Sequence, residues 1–156
     1  MQATTINPFV ESVISSMSVM CNIVAETFCL GIKDRKQIIP GDISGIIGFV
    51  GDLNGLIAVT FPKHLACACV SNMINDDIIE IDEDVKDGIR EITNIIAGNA
   101  KSTFKTRGLD LAMTLPSVIV GEQHQISTPV GIQSILVGFK TNIGSFWLEV
   151  GLKEEN

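Results

Sequence analysis

Tyrosine is missing from this 156-residue chain, tryptophan occurs once, and aromatic residues make up only 5%. With 46% hydrophobic residues, the core must therefore be aliphatic, built from Ile, Val, Leu, Ala and Met. Positive charge is also scarce: 11 Lys and Arg stand against 18 Asp and Glu, a formal net charge of −7. No basic cluster exceeds Lys33, Arg35 and Lys36. Phosphate-backbone binding needs a basic footprint, so nucleic acid is excluded as the expected partner. The first residues lack the positive region of a signal peptide, and Glu11 falls where its apolar region would run. Residues 9–30 form a long apolar stretch, but Glu11, Asn22 and Glu26 interrupt it at depths where polar and charged groups are costly in lipid. The expectation is a cytoplasmic protein with no membrane span. No linker or low-complexity segment divides the chain, and its length suits one domain over residues 1–156.

Four cysteines are present, at positions 21, 29, 67 and 69, all within segments of helical pattern rather than in a loop-rich disulfide framework. They read as reduced thiols packed in the core. A sharper alternative is a metal site, since His64, Cys67 and Cys69 form H-x-x-C-x-C. A closed structural zinc site needs four ligands, and the other histidine, His124, is distant in sequence, so no metal is expected on this chain.

Apolar residues at three- and four-residue steps predict a first helix over Pro8 to Leu30, with Asn7 as its cap and Gly31 as its stop. Two apolar, β-branched runs follow, Ile43 to Val50 and Leu56 to Phe61, joined by a hairpin signal at Asp52-Leu53-Asn54-Gly55. Pro62 to Asn75 reads as a shorter helix, and Glu83 to Thr106 as a second long one closed by Gly108. Strand patterns then cover Ser117 to Val120, Ile132 to Lys140 and Ser145 to Leu152, with a turn at residues 141–144. Ile47-Gly48-Phe49 is echoed by Val137-Gly138-Phe139, which suggests a degenerate repeat of helix plus hairpin. The predicted fold class is α+β: an antiparallel sheet covered by two long helices and a shorter one.

At about 100° per residue, the second long helix separates into two opposed stripes. Val85, Ile89, Ile92 and Ile96 form one, and Asp87, Glu91, Asn94 and Gly98 the other. If the isoleucines face the sheet, the polar stripe faces solvent or a partner. An ordinary solvated helix face would look similar. However, Asn94 and Gly98 are poor interior helix residues placed one turn apart on that stripe, and a glycine there leaves backbone that another surface can approach.

Asp87-x-x-x-Glu91-x-x-Asn94, with Pro116 some twenty residues later, resembles the active-site signature of the CheC/CheX/FliY phosphatases. The first helix offers no second Glu-x-x-Asn, which matches the one-site CheX pattern. The resemblance implies a CheC-like fold and hydrolysis of the aspartyl phosphate of a CheY-type response regulator. It further implies that Asn94 orients the attacking water and Glu91 docks a receiver lysine, with Asp87, Gly98 and Pro116 at the partner contact. Mg²⁺ is expected on the receiver, with no cofactor on this chain, and a homodimer joined through the sheets is implied as well. An amide suits the water-positioning role because its C=O accepts from water while its NH₂ can donate. The alternative is a non-catalytic module of the same fold that binds a receiver or a flagellar-switch component.

Overall fold

The computed structural model describes residues 3–154. In chain order the elements are α1 (Ala3–Cys21), β1 (Glu26–Ile32), β2 (Ile43–Gly51), β3 (Leu53–Phe61), α2 (Lys63–Ile74), α3 (Glu83–Thr106), β4 (Leu111–Met113), β5 (Ser117–Val120), β6 (Ile135–Lys140) and β7 (Ser145–Glu154). The seven strands form one sheet of order β1-β6-β7-β3-β2-β4, with β5 also paired to β2 and every pairing antiparallel. This is the predicted α+β class.

Strand alternation decides which face of the sheet is covered. Ile43, Ile47 and Phe49 of β2, Ile57, Val59 and Phe61 of β3, and Phe146, Leu148 and Val150 of β7 all point into the core. Phe9, Val13 and Met17 of α1, Leu65 and Val70 of α2, and Ile89, Ile92 and Ile96 of α3 meet them there. The opposite face carries buried polar groups instead. Lys33 pairs with Glu149 at 2.7 Å, and the same ammonium donates to the Ile126 carbonyl. Ser44 bonds both Thr60 and His124, so the segment after β5 is fastened across that face at two points.

The first predicted helix is corrected at both ends. It starts at Ala3, so Pro8 lies inside it rather than at its first position. A proline there removes the N–H that would bond the carbonyl four residues earlier. That carbonyl, of Thr4, is satisfied by the Arg107 guanidinium instead. The helix ends at Cys21, because Asn22 adopts the left-handed conformation at φ 54° and Ile23 N–H bonds back to the Met17 carbonyl. Residues 26–32 are thus strand β1, and Gly31 lies within it.

The hairpin signal is displaced rather than absent. Phe49 pairs with Gly55 as the last pair between β2 and β3, and the chain reverses at Asp52 between the two strands, with Asn-Gly just beyond it. The Asn54 side chain closes this turn by bonding Gly51 at both its N–H and its carbonyl. Gly55 has φ 144°, and a Cβ there would stand 1.9 Å from the Gly151 carbonyl oxygen, so only glycine fits. Two further boundaries shift: β6 begins at Ile135 rather than Ile132, and β7 runs on to Glu154. The three-residue β4 escaped the sequence reading.

Candidate functional site

Helix α3 is placed by three local features. Asp82 caps it, accepting from Val85 N–H at 2.9 Å, and Glu83 and Asp84 lie in the first turn, where the helix dipole favours negative charge. At the other end Gly108 follows with φ 81°. In between, the helix comes close to its neighbours through two glycines: a Cβ on Gly45 of β2 would lie 1.9 Å from Thr93 Oγ1, and one on Gly88 would lie 2.4 Å from Val70 Cγ2. Gly45 occupies an inward strand position between Ile43 and Ile47, which is the signal by which sequence could have shown this close approach.

These contacts fix the rotation of α3 about its axis. Val85, Ile89, Ile92 and Ile96 are fully buried. Asp87 and Glu91 are exposed, and Asn94 and Gly98 are half-buried at the surface. The two stripes thus face opposite ways, as their spacing predicts. Asp87 is engaged by Arg90 of the same helix at 2.6 Å. Glu91 and Asn94 make no side-chain hydrogen bond or ion pair with the described residues, so both are available to another molecule. At three positions apart on one helix, their Cβ atoms are separated by about 5–6 Å.

Pro116 lies between β4 and β5, half-buried, in a segment fastened to β2. Thr114 N–H donates to the Gly48 carbonyl at 2.9 Å, and Gly48 N–H donates to Thr114 Oγ1 at 2.9 Å. Ser117 then pairs with Ile46, and Val118 with Gly45, the residue beneath Thr93. The strand register therefore brings the Pro116 segment beside the middle of α3.

The H-x-x-C-x-C residues are not gathered on one point. His64 bonds the Ile143 carbonyl through Nε2 at 3.1 Å, whereas Cys69 is buried against Cys21 of α1. A hydrogen bond with Cys21, reinforced by burial, holds the Cys69 thiol well above its usual pKa range. Burial likewise pushes the Cys67 thiol up. Cys29, read as a core thiol, is exposed, because β1 is an edge strand. Among the described residues, no three His, Cys, Asp or Glu side chains gather closely enough to hold a metal ion. Likewise, no described helix is long and apolar enough to cross a membrane.

A single antiparallel sheet, packed on one face by two long helices and a short one, with a polar stripe on the longer helix, defines a CheC-like α+β protein. The family model for the chemotaxis phosphatase CheX matches residues 43–140, and the chain belongs to that family. A solved CheX from Desulfovibrio desulfuricans is 36% identical, covers 97% of this chain and 99% of its own, and superposes with a TM-score of 0.87. A CheC-like superfamily protein from Shewanella sp. PV-4 is 29% identical over 98% of this chain and 99% of its own, at TM-score 0.92. The CheX–CheY–BeF₃–Mg²⁺ complex from Borrelia burgdorferi contains a chain 26% identical over 96% of this one and 98% of its own, at TM-score 0.80. No curated protein matches the chain.

Proposed function

We propose that this protein hydrolyses the aspartyl phosphate of a CheY-type receiver in the cytoplasm, with Asn94 orienting the attacking water and Glu91 docking a receiver lysine. The observation that carries this reading is the pairing of a carboxylate and a carboxamide one turn apart on α3, both facing outward and neither engaged by the described residues. A related CheX has been solved in complex with CheY, BeF₃ and Mg²⁺, which supports a receiver as the partner here.

In the proposed reaction, water adds to phosphorus as the bond to the aspartyl oxygen breaks, giving the free carboxylate and inorganic phosphate. The metal that neutralises charge on the phosphoryl group belongs to the receiver. This chain contributes alignment: the Asn94 C=O accepts a hydrogen bond from water, which fixes where the oxygen lone pair points. A hundredfold acceleration requires only about 2.7 kcal/mol of barrier lowering, so one aligned water and one docking ion pair suffice without any nucleophile. Arg90 already holds Asp87 beside this pair, so Asp87 acts by bordering the contact.

The same reading carries a homodimer joined through the sheets. It is supported by β1, an edge strand whose seven residues are all exposed, including Leu30 at 63% and Ile32 at 64%.

Phosphate release from a phosphorylated CheY-type receiver with Mg²⁺ tests the catalytic reading. The wild-type chain should accelerate release, Asn94→Ala should remove nearly all of that acceleration while still binding, and Glu91→Lys should lose binding as well. Unchanged turnover by Asn94→Ala would reject the assignment.

A further inference from the structure

Resting on that phosphatase reading, we propose that Leu115 is a docking residue for the receiver, placing its isobutyl group on an apolar patch beside the receiver's phosphorylation site. Leu115 is 88% exposed. Exposure alone does not single it out, because Val19, Ile79 and Val130 are 82%, 81% and 84% exposed. Its backbone and its position do.

The segment that carries Leu115 is pinned on both sides. Met113 ends β4 in register with Phe49, and Thr114 exchanges two hydrogen bonds with Gly48. Pro116, whose ring fixes its own φ, leads directly into Ser117 of β5, which pairs with Ile46. Leu115 is therefore the middle of a three-residue connection between strands anchored to β2. A side chain presented from a fixed backbone docks without the added cost of ordering a loop, which favours it as an anchor.

The connection also lies on the flank toward which Asn94 turns. Thr93 stands over Gly45, and Gly45 pairs with Val118, three residues beyond Leu115. At about 3.3 Å per residue, that puts Leu115 within roughly 10 Å, along the strand, of the level of Thr93. On α3, Ile92 turns into the core, while α1 and α2 close the other side through the Ser12–Ile96 hydrogen bond and the Gly88–Val70 contact. Asn94 lies about 100° beyond Thr93 in the opposite sense from Ile92, toward the β4–β5 edge. A receiver seated on Glu91 and Asn94 thus meets Leu115 at the border of the same footprint. The α3 stripe itself is polar, and an apolar anchor beside it supplies affinity that solvent-exposed polar pairs do not.

The test uses the full chain carrying Leu115→Ser or Leu115→Met, with Asn94→Ala as a control. Steady-state phosphate release is measured on a CheY-type receiver phosphorylated with acetyl phosphate, and affinity on the same receiver trapped with beryllofluoride and Mg²⁺. Leu115→Ser should raise KM and Kd at least tenfold with kcat within twofold of wild type. Leu115→Met should stay within threefold in all three. Unchanged KM and Kd in Leu115→Ser, alongside an inactive Asn94→Ala, overturns the docking role and leaves the phosphatase reading standing, and a fall in kcat alone overturns it too. Full activity in Asn94→Ala overturns the phosphatase reading and this inference with it.

Discussion

Gly98 lies on the outward stripe of α3 with Asp87, Glu91 and Asn94. It sits mid-helix, where glycine costs about 1 kcal/mol relative to alanine, yet a Cβ placed on it would meet nothing within 4 Å. Nothing in the chain's own packing requires glycine there, unlike Gly45, whose missing Cβ lets Thr93 approach. Gly98→Ala should therefore raise the thermal midpoint by about 2–4 °C, the shift expected from about 1 kcal/mol in a domain of this size. If a receiver seats on this stripe as proposed, Gly98→Gln should leave the fold intact but lower kcat/KM on a phosphorylated receiver at least tenfold, by filling the space over the helix. Wild-type kcat/KM in that variant would remove Gly98 from the contact. The polar stripe was legible in sequence because helical periodicity fixes facing without any knowledge of neighbours. The Arg90–Asp87 ion pair and the Thr93–Gly45 contact were not, since each depends on rotamers or on a strand distant in sequence.

At the level of elements, one buried ion pair links the residue after β1 to β7 and, through the Ile126 carbonyl, to the segment after β5. Lys33 and Glu149 are 7% and 4% exposed, and Ser134 and the Ile126 carbonyl complete their hydrogen bonding. Removing one partner of such a pair leaves the other charge buried and uncompensated, whereas replacing both with apolar groups does not. Lys33→Met should cost about 3–5 kcal/mol in urea-induced unfolding, and Lys33→Met combined with Glu149→Leu should recover most of that loss. A small loss in the single variant would mean that water reaches Glu149. Sequence reading placed α2 and α3 well because their proline, aspartate and glycine boundaries are local signals. It ran α1 into β1 because Val24 and Phe28 continue the three- and four-residue apolar steps of the helix, and the stop is Asn22 in a left-handed cap, a conformation that asparagine permits without announcing it. β4 was missed because three residues carry no period, and its pairing is supplied by the end of β2.

For the whole molecule, the repeat seen in Ile47-Gly48-Phe49 and Val137-Gly138-Phe139 takes on physical meaning in the strand order. The two hairpins, β2–β3 and β6–β7, meet at the β3–β7 pairing, and each is extended by strands from the other half: β1 on β6, β4 and β5 on β2. The halves are interleaved, so neither can complete its sheet alone. The sheet still ends at β1 with an apolar, exposed edge, which a second copy would cover. Sedimentation of the purified chain at micromolar concentration should give twice the monomer mass, and Ile32→Lys should shift it toward monomer; monomeric wild-type protein would contradict the dimer. The proposed reaction requires α3 to present the Asn94 amide to the water that attacks the phosphoryl group of a bound receiver. Its most direct test is single-turnover release of phosphate from a receiver saturated with Asn94→Ala protein. The expected rate is that of the receiver alone, with Kd within threefold of wild type; release at the wild-type rate would contradict the account.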